Sequence, residues 1–135
     1  MRARAALSGK TFVVVFDGAT SQSRAFRAAA RKAFRQELSH VGPTYDSYEV
    51  RIWIEGYRRG RRLDADNVAK AVLDSLVGLV WRDDRQVTRL IVEKLSEGGE
   101  RIVLAASPTD IAETSEAMAT VLADAGLAGG RPGVS

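Results

Sequence analysis

Two acidic clusters, Asp64-Ala65-Asp66 and Asp83-Asp84, stand at the ends of a segment with helical spacing, and Lys70 falls four residues after Asp66. Carboxylates brought close together repel, so a fold that converges them usually has a cation to offset the charge. Asp66, Lys70 and Asp74 recur every four residues, which places them on one polar face of a helix with the lysine between two acids. If the strand that follows packs beside this helix, Asp84 approaches the helix N-terminal end. Asp64, Asp66 and Asp84 then supply hard oxygen ligands suited to Mg2+, with Mn2+ able to take its place. Such an ion generates a nucleophile from bound water and screens charge developing on a phosphodiester. Lys70 is placed to stabilise a pentacoordinate transition state or to orient the attacking water. The scheme needs no histidine, and the single one, His40, falls in an expected loop.

Base stands next to this acid. Arg58, Arg59, Arg61 and Arg62 precede Asp64 in a loop, where they would bind phosphates at the mouth of a site. Arg24, Arg27, Arg31 and Arg35 form a second, weaker candidate for DNA binding along one side of an earlier helix. Each feature also has an ordinary structural reading. Asp64 is a good N-cap, and Asp66 complements the helix dipole. Asp83-Asp84 is common turn chemistry, and an Asp66–Lys70 pair contributes only tenths of a kcal/mol, roughly, to a helix. Arginines on a loop or an exposed helix face are often merely solvated. The combination of acid for a metal and base for phosphate points to enzymatic chemistry on nucleic acid. Against it stands a non-catalytic DNA-binding module in which the acids only cap a helix.

The 135-residue chain has the size of one domain, and 45% hydrophobic residues argue for a real core and against disorder. It has no cysteine, which excludes disulfides and thiolate metal sites. No apolar run approaches the roughly 20 residues needed to cross a bilayer. The basic start, Met1 to Leu7, is too briefly apolar for a signal peptide, so a cytoplasmic location is expected. The net charge of +3 matters less than its distribution. Base is concentrated before residue 62, whereas Asp110, Glu113, Glu116 and Asp124 mark the C-terminal part.

Periodicity gives the elements. Phe12 to Phe16 is an apolar, β-branched run that reads as a buried strand. A helix follows from Ser21 or Ser23 to about Ser39, with Phe26, Ala30, Ala33, Phe34 and Leu38 turned to the core. Tyr48 to Glu55 alternates as a strand, in which Trp53 suits the core, a stacked base or a dimer interface. A helix from about Asp64 to Gly78 carries the apolar stripe Val68, Val72, Leu76 and Leu79. After the Asp83-Asp84 turn come strands from about Gln86 to Leu95 and from Arg101 to Ala106, joined by Ser96 to Gly99. A last helix spans about 109–125, and residues 129–135 read as a disordered tail. The order β-α-β-α-β-β-α predicts an α/β fold, a small four-stranded mixed sheet packed with helices, as a single domain over 1–128 with its core at 11–106.

At the acidic residues the sequence resembles the RusA family of Holliday-junction resolvases. The resemblance is carried by Asp64-Ala65-Asp66-Asn67-Val68-Ala69-Lys70, then Asp74-Ser75-Leu76, then Trp81-Arg82-Asp83-Asp84-Arg85-Gln86-Val87. It implies a Mg2+-dependent endodeoxyribonuclease of DNA recombination and repair, common in phages and prophages. Such an enzyme acts as a homodimer on four-way junctions, and two symmetric nicks fit two sites related by a two-fold axis. It assigns metal binding and catalysis to Asp64, Asp66 and Asp84, a catalytic role to Lys70, and an adjacent place at the metal to Asp83. Asn67 would position the helix start or a ligand. The segment from Asp17 to Ser23 lacks the Asn- and aromatic-bearing loop associated with the family. Nucleases for flaps or forks therefore stand beside the junction reading.

Overall fold

The computed structural model describes residues 1–18, 22–56, 64–109 and 111–128, the stretch 111–115 by its backbone alone. Its elements are β1 (Arg2–Ser8), β2 (Thr11–Asp17), α1 (Ser23–Glu37), β3 (Tyr48–Glu55), α2 (Ala65–Ser75), β4 (Val87–Leu95), β5 (Arg101–Pro108) and α3 (Ile111–Asp124). A 3-10 turn, Asp84–Gln86, leads into β4.

The sheet is mixed, as expected, but has five strands rather than four, in the order β1-β2-β5-β3-β4. The additional strand is β1, which pairs antiparallel with β2 from Arg2 opposite Asp17 to Ser8 opposite Thr11. Its alternation places Ala3, Ala5 and Leu7 on one face and arginines on the other, but alanine gives a weak strand signal. Gly9, with φ of 61°, supplies the backbone that a two-residue hairpin turn demands.

The connection from β4 to β5 also differs from a simple hairpin. β5 does not lie beside β4; it pairs antiparallel with both β2 and β3, while β4 pairs parallel with β3 on the sheet edge. The chain must therefore cross the end of β3, and it does so closely: the Gly56 amide donates to the Leu95 carbonyl at 2.9 Å. Gly98 sits there at φ 96°, and a Cβ on it would come within 2.8 Å of the Glu55 carboxylate.

Strand alternation turns Val14, Phe16, Val50, Ile52, Ile54, Ile102 and Leu104 to one face, where all are buried. α1 covers that face over β1 and packs on α2, which reaches β4. The expected α1 positions Phe26, Ala30, Ala33, Phe34 and Leu38 are all buried, with Phe26 edge-on to Phe16 at 4.9 Å. Val68, Val72 and Leu76 of α2 are fully buried too. Trp53, by contrast, is on the face away from the helices, half-buried, with the Arg51 guanidinium 5.0 Å from its ring. α3 has the expected place, and its described side chains from Glu116 on are exposed apart from a half-buried Leu122. The tail expected at 129–135 lies outside the described residues.

The crossing over β3 is directly testable. Gly98→Ala is expected to cost about 1–2 kcal/mol, because it forces L-residue backbone into a left-handed conformation. Gly99→Ala meets nothing within 4 Å and has no positive φ. Thermal melts should therefore separate the two variants, with only Gly98→Ala lowering the midpoint.

Candidate active site

α2 starts at Ala65, with Asp64 in extended conformation at its N-cap position. The Asp64 carboxylate makes no capping hydrogen bond. It accepts instead from the Asn67 side-chain amide at 3.2 Å, while the Asn67 backbone amide is taken by Asp66 Oδ1 at 3.0 Å. Asn67 thus holds Asp64 at the helix start, and the capping role that would account for the acid structurally is not filled by its side chain. Lys70 and Asp74 follow on the exposed side of the helix, opposite Val68 and Val72. Among the described residues Lys70 forms no ion pair with Asp66 or Asp74. The helix-pair reading therefore fails in this geometry, and the ammonium stays available to another anion.

A recess of about 410 Å3 opens between α2 and the edge strand β4. Asp66, Lys70, Asp74 and Asp84 line it, over a floor of Ala65, Ala69, Leu73, Leu90 and Val92. Parallel pairing puts Leu90 and Val92 beside Val50 and Ile52, so both point to the helical side and close the floor. Four polar side chains from two separate stretches of sequence thus meet at one opening. Asp64 is not on its wall.

The Asp83-Asp84 pair divides its labour. Asp83 caps the 3-10 turn: its Oδ1 accepts from the Arg85 amide at 2.9 Å and its Oδ2 from the Arg85 guanidinium at 3.2 Å. The amide bond first, and then the guanidinium, holds the Asp83 carboxyl below its ordinary range. With both oxygens engaged, Asp83 serves the turn, and Asp84 faces the recess.

Gln86 is the residue whose role the sequence alone left unread. Its Oε1 accepts from the backbone amides of Arg82 at 2.8 Å and Asp83 at 3.1 Å. Its Nε2 donates to the carbonyls of Thr44 at 2.9 Å and Asp46 at 2.8 Å. One side-chain amide therefore uses two donor and two acceptor sites to fasten the turn before Asp84 to the loop before β3. Trp81, fully buried against the Tyr48 ring at 5.7 Å, anchors the same turn from below. The only signal for Gln86 in the sequence is its place in the Asp83-Asp84-Arg85-Gln86-Val87 run that carries the family resemblance.

Hard carboxylate oxygens at this recess fit Mg2+ or Mn2+ by chemistry. Among the described residues no three acidic or histidine side chains are gathered in a cluster that could hold a metal ion. Mg2+ commonly takes only one or two protein carboxylates and completes its shell with waters and phosphate oxygens, which Asp66 and Asp84 are able to supply. The four arginines Arg58, Arg59, Arg61 and Arg62 lie outside the described residues. Arg24, Arg27, Arg31 and Arg35 are all exposed on α1, joined by Lys32, and none takes part in an ion pair among the described residues.

Fold and site together define a small α/β domain with a mixed sheet, α1 and α2 on one face, and an acid-and-lysine recess at the parallel edge. Residues 11–105 match the family described as Endodeoxyribonuclease RusA, and the chain belongs to that family. Asp64, Asp66, Asp74, Asp83, Asp84, Lys70 and Gln86 fall inside the matched span, whereas β1 and α3 lie outside it. No curated protein matches the chain. No helix among the described residues is long and apolar enough to cross a membrane.

The four bonds of Gln86 should be measurable as stability. Gln86→Met keeps the length of the side chain and removes all four, at an expected cost of about 2 kcal/mol in urea denaturation. Hydrogen exchange should quicken at the Arg82 and Asp83 amides and stay unchanged along α1. A variant with wild-type stability and exchange would remove Gln86 from this role.

Proposed function

We propose that the protein is a Mg2+-dependent, structure-selective DNA endonuclease that resolves four-way junctions by paired phosphodiester hydrolysis. The observation that supports it most is the recess shared by Asp66, Lys70, Asp74 and Asp84 within the span that matches an endodeoxyribonuclease family. A bound Mg2+ would supply Lewis acidity and an activated water, with Asp66 and Asp84 as its protein ligands and Asp64, off the recess wall, as a further acid at the helix start. Lys70, in no ion pair among the described residues, would lie against the non-bridging oxygens as negative charge builds on phosphorus. Asn67 would keep Asp64 oriented through its 3.2 Å bond. Leu90 and Val92, beneath the acids, would limit water on that side of the recess. Two such sites, related by the two-fold axis of a homodimer, match the two-fold symmetry of a four-way junction.

The cations of α1 extend this reading to substrate binding. Arg24 and Arg35 are separated by about 16 Å along the helix axis, and Arg27, Arg31 and Lys32 fall between them. The face opposite is the buried one, Phe26, Ala29, Ala30, Ala33 and Phe34, so the cations must point to solvent. An unpaired stripe of this kind suits a DNA backbone, whose phosphates release counterions on binding.

Two experiments test the proposal. Purified protein should nick a synthetic four-way junction in Mg2+ and not in EDTA, and should prefer it to forked, flapped and linear duplexes. Asp66→Asn should bind that junction and cut it at least about 100-fold more slowly, as expected for loss of an electrostatic group at the reacting centre. Cleavage by Asp66→Asn at the wild-type rate would sink the assignment of the site. Separately, replacing Arg24, Arg27, Arg31 and Arg35 with alanine should flatten the dependence of log affinity on log salt, by about 0.9 for each lost phosphate contact. An unchanged slope would remove α1 from the DNA surface.

A further inference from the structure

Tyr45 stands out among the described aromatic residues. Phe12, Phe16, Phe26, Phe34, Tyr48 and Trp81 are buried and Trp53 is half-buried, but Tyr45 is 78% exposed. The Arg82 guanidinium lies over its ring, 4.4 Å from the centroid. A surface cation–π contact of this kind contributes about 0.5–1 kcal/mol, too little to explain why a large ring is kept in water.

The backbone around this pair is unusually well fixed. Gln86 Nε2 donates to the carbonyls on both sides of Tyr45, those of Thr44 and Asp46. The Thr44 amide donates to the Val80 carbonyl at 3.0 Å, and Thr44 Oγ1 accepts from the Asp46 amide at 3.3 Å. On the other side, the Arg82 amide donates to Gln86 Oε1. One glutamine therefore sets the loop carrying the ring and the turn carrying the guanidinium against each other. Arg82 is two residues from Asp84 across an extended Asp83, so their Cα atoms are at most about 7 Å apart. An exposed ring and a planar cation are thus presented beside the acid of the recess on a rigid backbone.

We infer that Tyr45 and Arg82 form a stacking platform for an unpaired nucleobase at the branch of the DNA substrate. The inference rests on the nuclease reading and adds a base-binding subsite to it. Aromatic faces accept any base by stacking, and an arginine plane beside them adds both stacking and cation–π attraction. Such a platform selects DNA whose bases are unstacked, which distinguishes a branch point from continuous duplex. It stands on the loop before β3, whereas the sequence from 17 to 23 contains no aromatic residue.

The test uses the full chain and a four-way junction carrying 2-aminopurine at the branch, titrated in EDTA so that binding is read without cleavage. Wild-type protein should change the 2-aminopurine fluorescence on binding. Tyr45→Ala should abolish that change and weaken binding about 10-fold, while leaving the salt dependence unaltered because no phosphate contact is lost. Tyr45→Phe should behave as wild type, since the ring and not the hydroxyl carries the contact. If Tyr45→Ala binds within twofold of wild type with the fluorescence change intact, or if Tyr45→Phe loses as much as the alanine variant, the platform is overturned. A parallel cleavage assay in Mg2+ separates the two levels. Wild-type cleavage with an unaltered Tyr45→Ala rejects the platform alone, and a wild type that neither binds nor cuts the junction rejects the nuclease reading with it.

Discussion

The parallel pairing of β3 with β4 is the constraint on which the site depends. Parallel neighbours cannot be joined by a tight turn, so the chain must leave the sheet, cross its face and return. α2 is that crossover, and its placement follows from Val68, Val72 and Leu76 burying themselves over the sheet. Because β4 is the edge strand, nothing from the sheet flanks α2 on its far side, and a recess opens between them. Asp66, Lys70 and Asp74 line that opening because they occupy the helix face left over when the apolar stripe is buried. Asp84 joins them because it is the first residue of the 3-10 turn that feeds β4.

The same constraint explains why so much hydrogen bonding is spent on one turn. The return from α2 to β4 must end in a fixed register, or Asp84 would slide relative to the helix. Trp81 is inserted into the core beside Tyr48, and Gln86 ties four backbone groups around the acid. Asp83 spends its carboxylate on the Arg85 amide and guanidinium. The neighbouring aspartates are chemically alike but have separate work, one closing a turn and the other facing a cavity.

Much of this was legible in the sequence where burial imposes a period. β2, α1, β3, α2 and β5 were bounded within a few residues because each has a fully buried face. The helical period alone aligned Asp66, Lys70 and Asp74. β1 was not legible, since its inward residues are two alanines and a leucine, too weakly apolar to reveal an alternating strand before the hairpin. The position of β5 was not legible either. Local turn chemistry at Ser96 to Gly99 suggests a hairpin, whereas strand order is decided by which edge buries more apolar surface, a non-local choice. Asp64 suits both a metal ligand and an N-cap by sequence, and only the fold shows its carboxylate making no cap bond and accepting from the Asn67 side chain. Gln86 carries no signature of its role, because its four partners are backbone atoms and any residue type can supply those.

Charge divides the molecule along the same plane as the helices. On the sheet face away from α1 and α2, four arginines are matched by acids: Arg4 with Asp17, Arg51 with Glu93, Arg89 with Glu49 and Arg101 with Glu55. That face therefore presents little net field to a polyanion. On the helical side, Arg24, Arg27, Arg31, Lys32, Arg35 and Lys70 have no acid paired with them among the described residues. Paired surface charges contribute little to stability, and unpaired like charges on a helix detract from it. A stripe of uncompensated cations on α1 therefore has no structural reason in the folded chain by itself. Water and salt screen its electrostatic cost and a bound polyanion would relieve it further, and it lies in the same helical layer as the recess whose acids call for a cation.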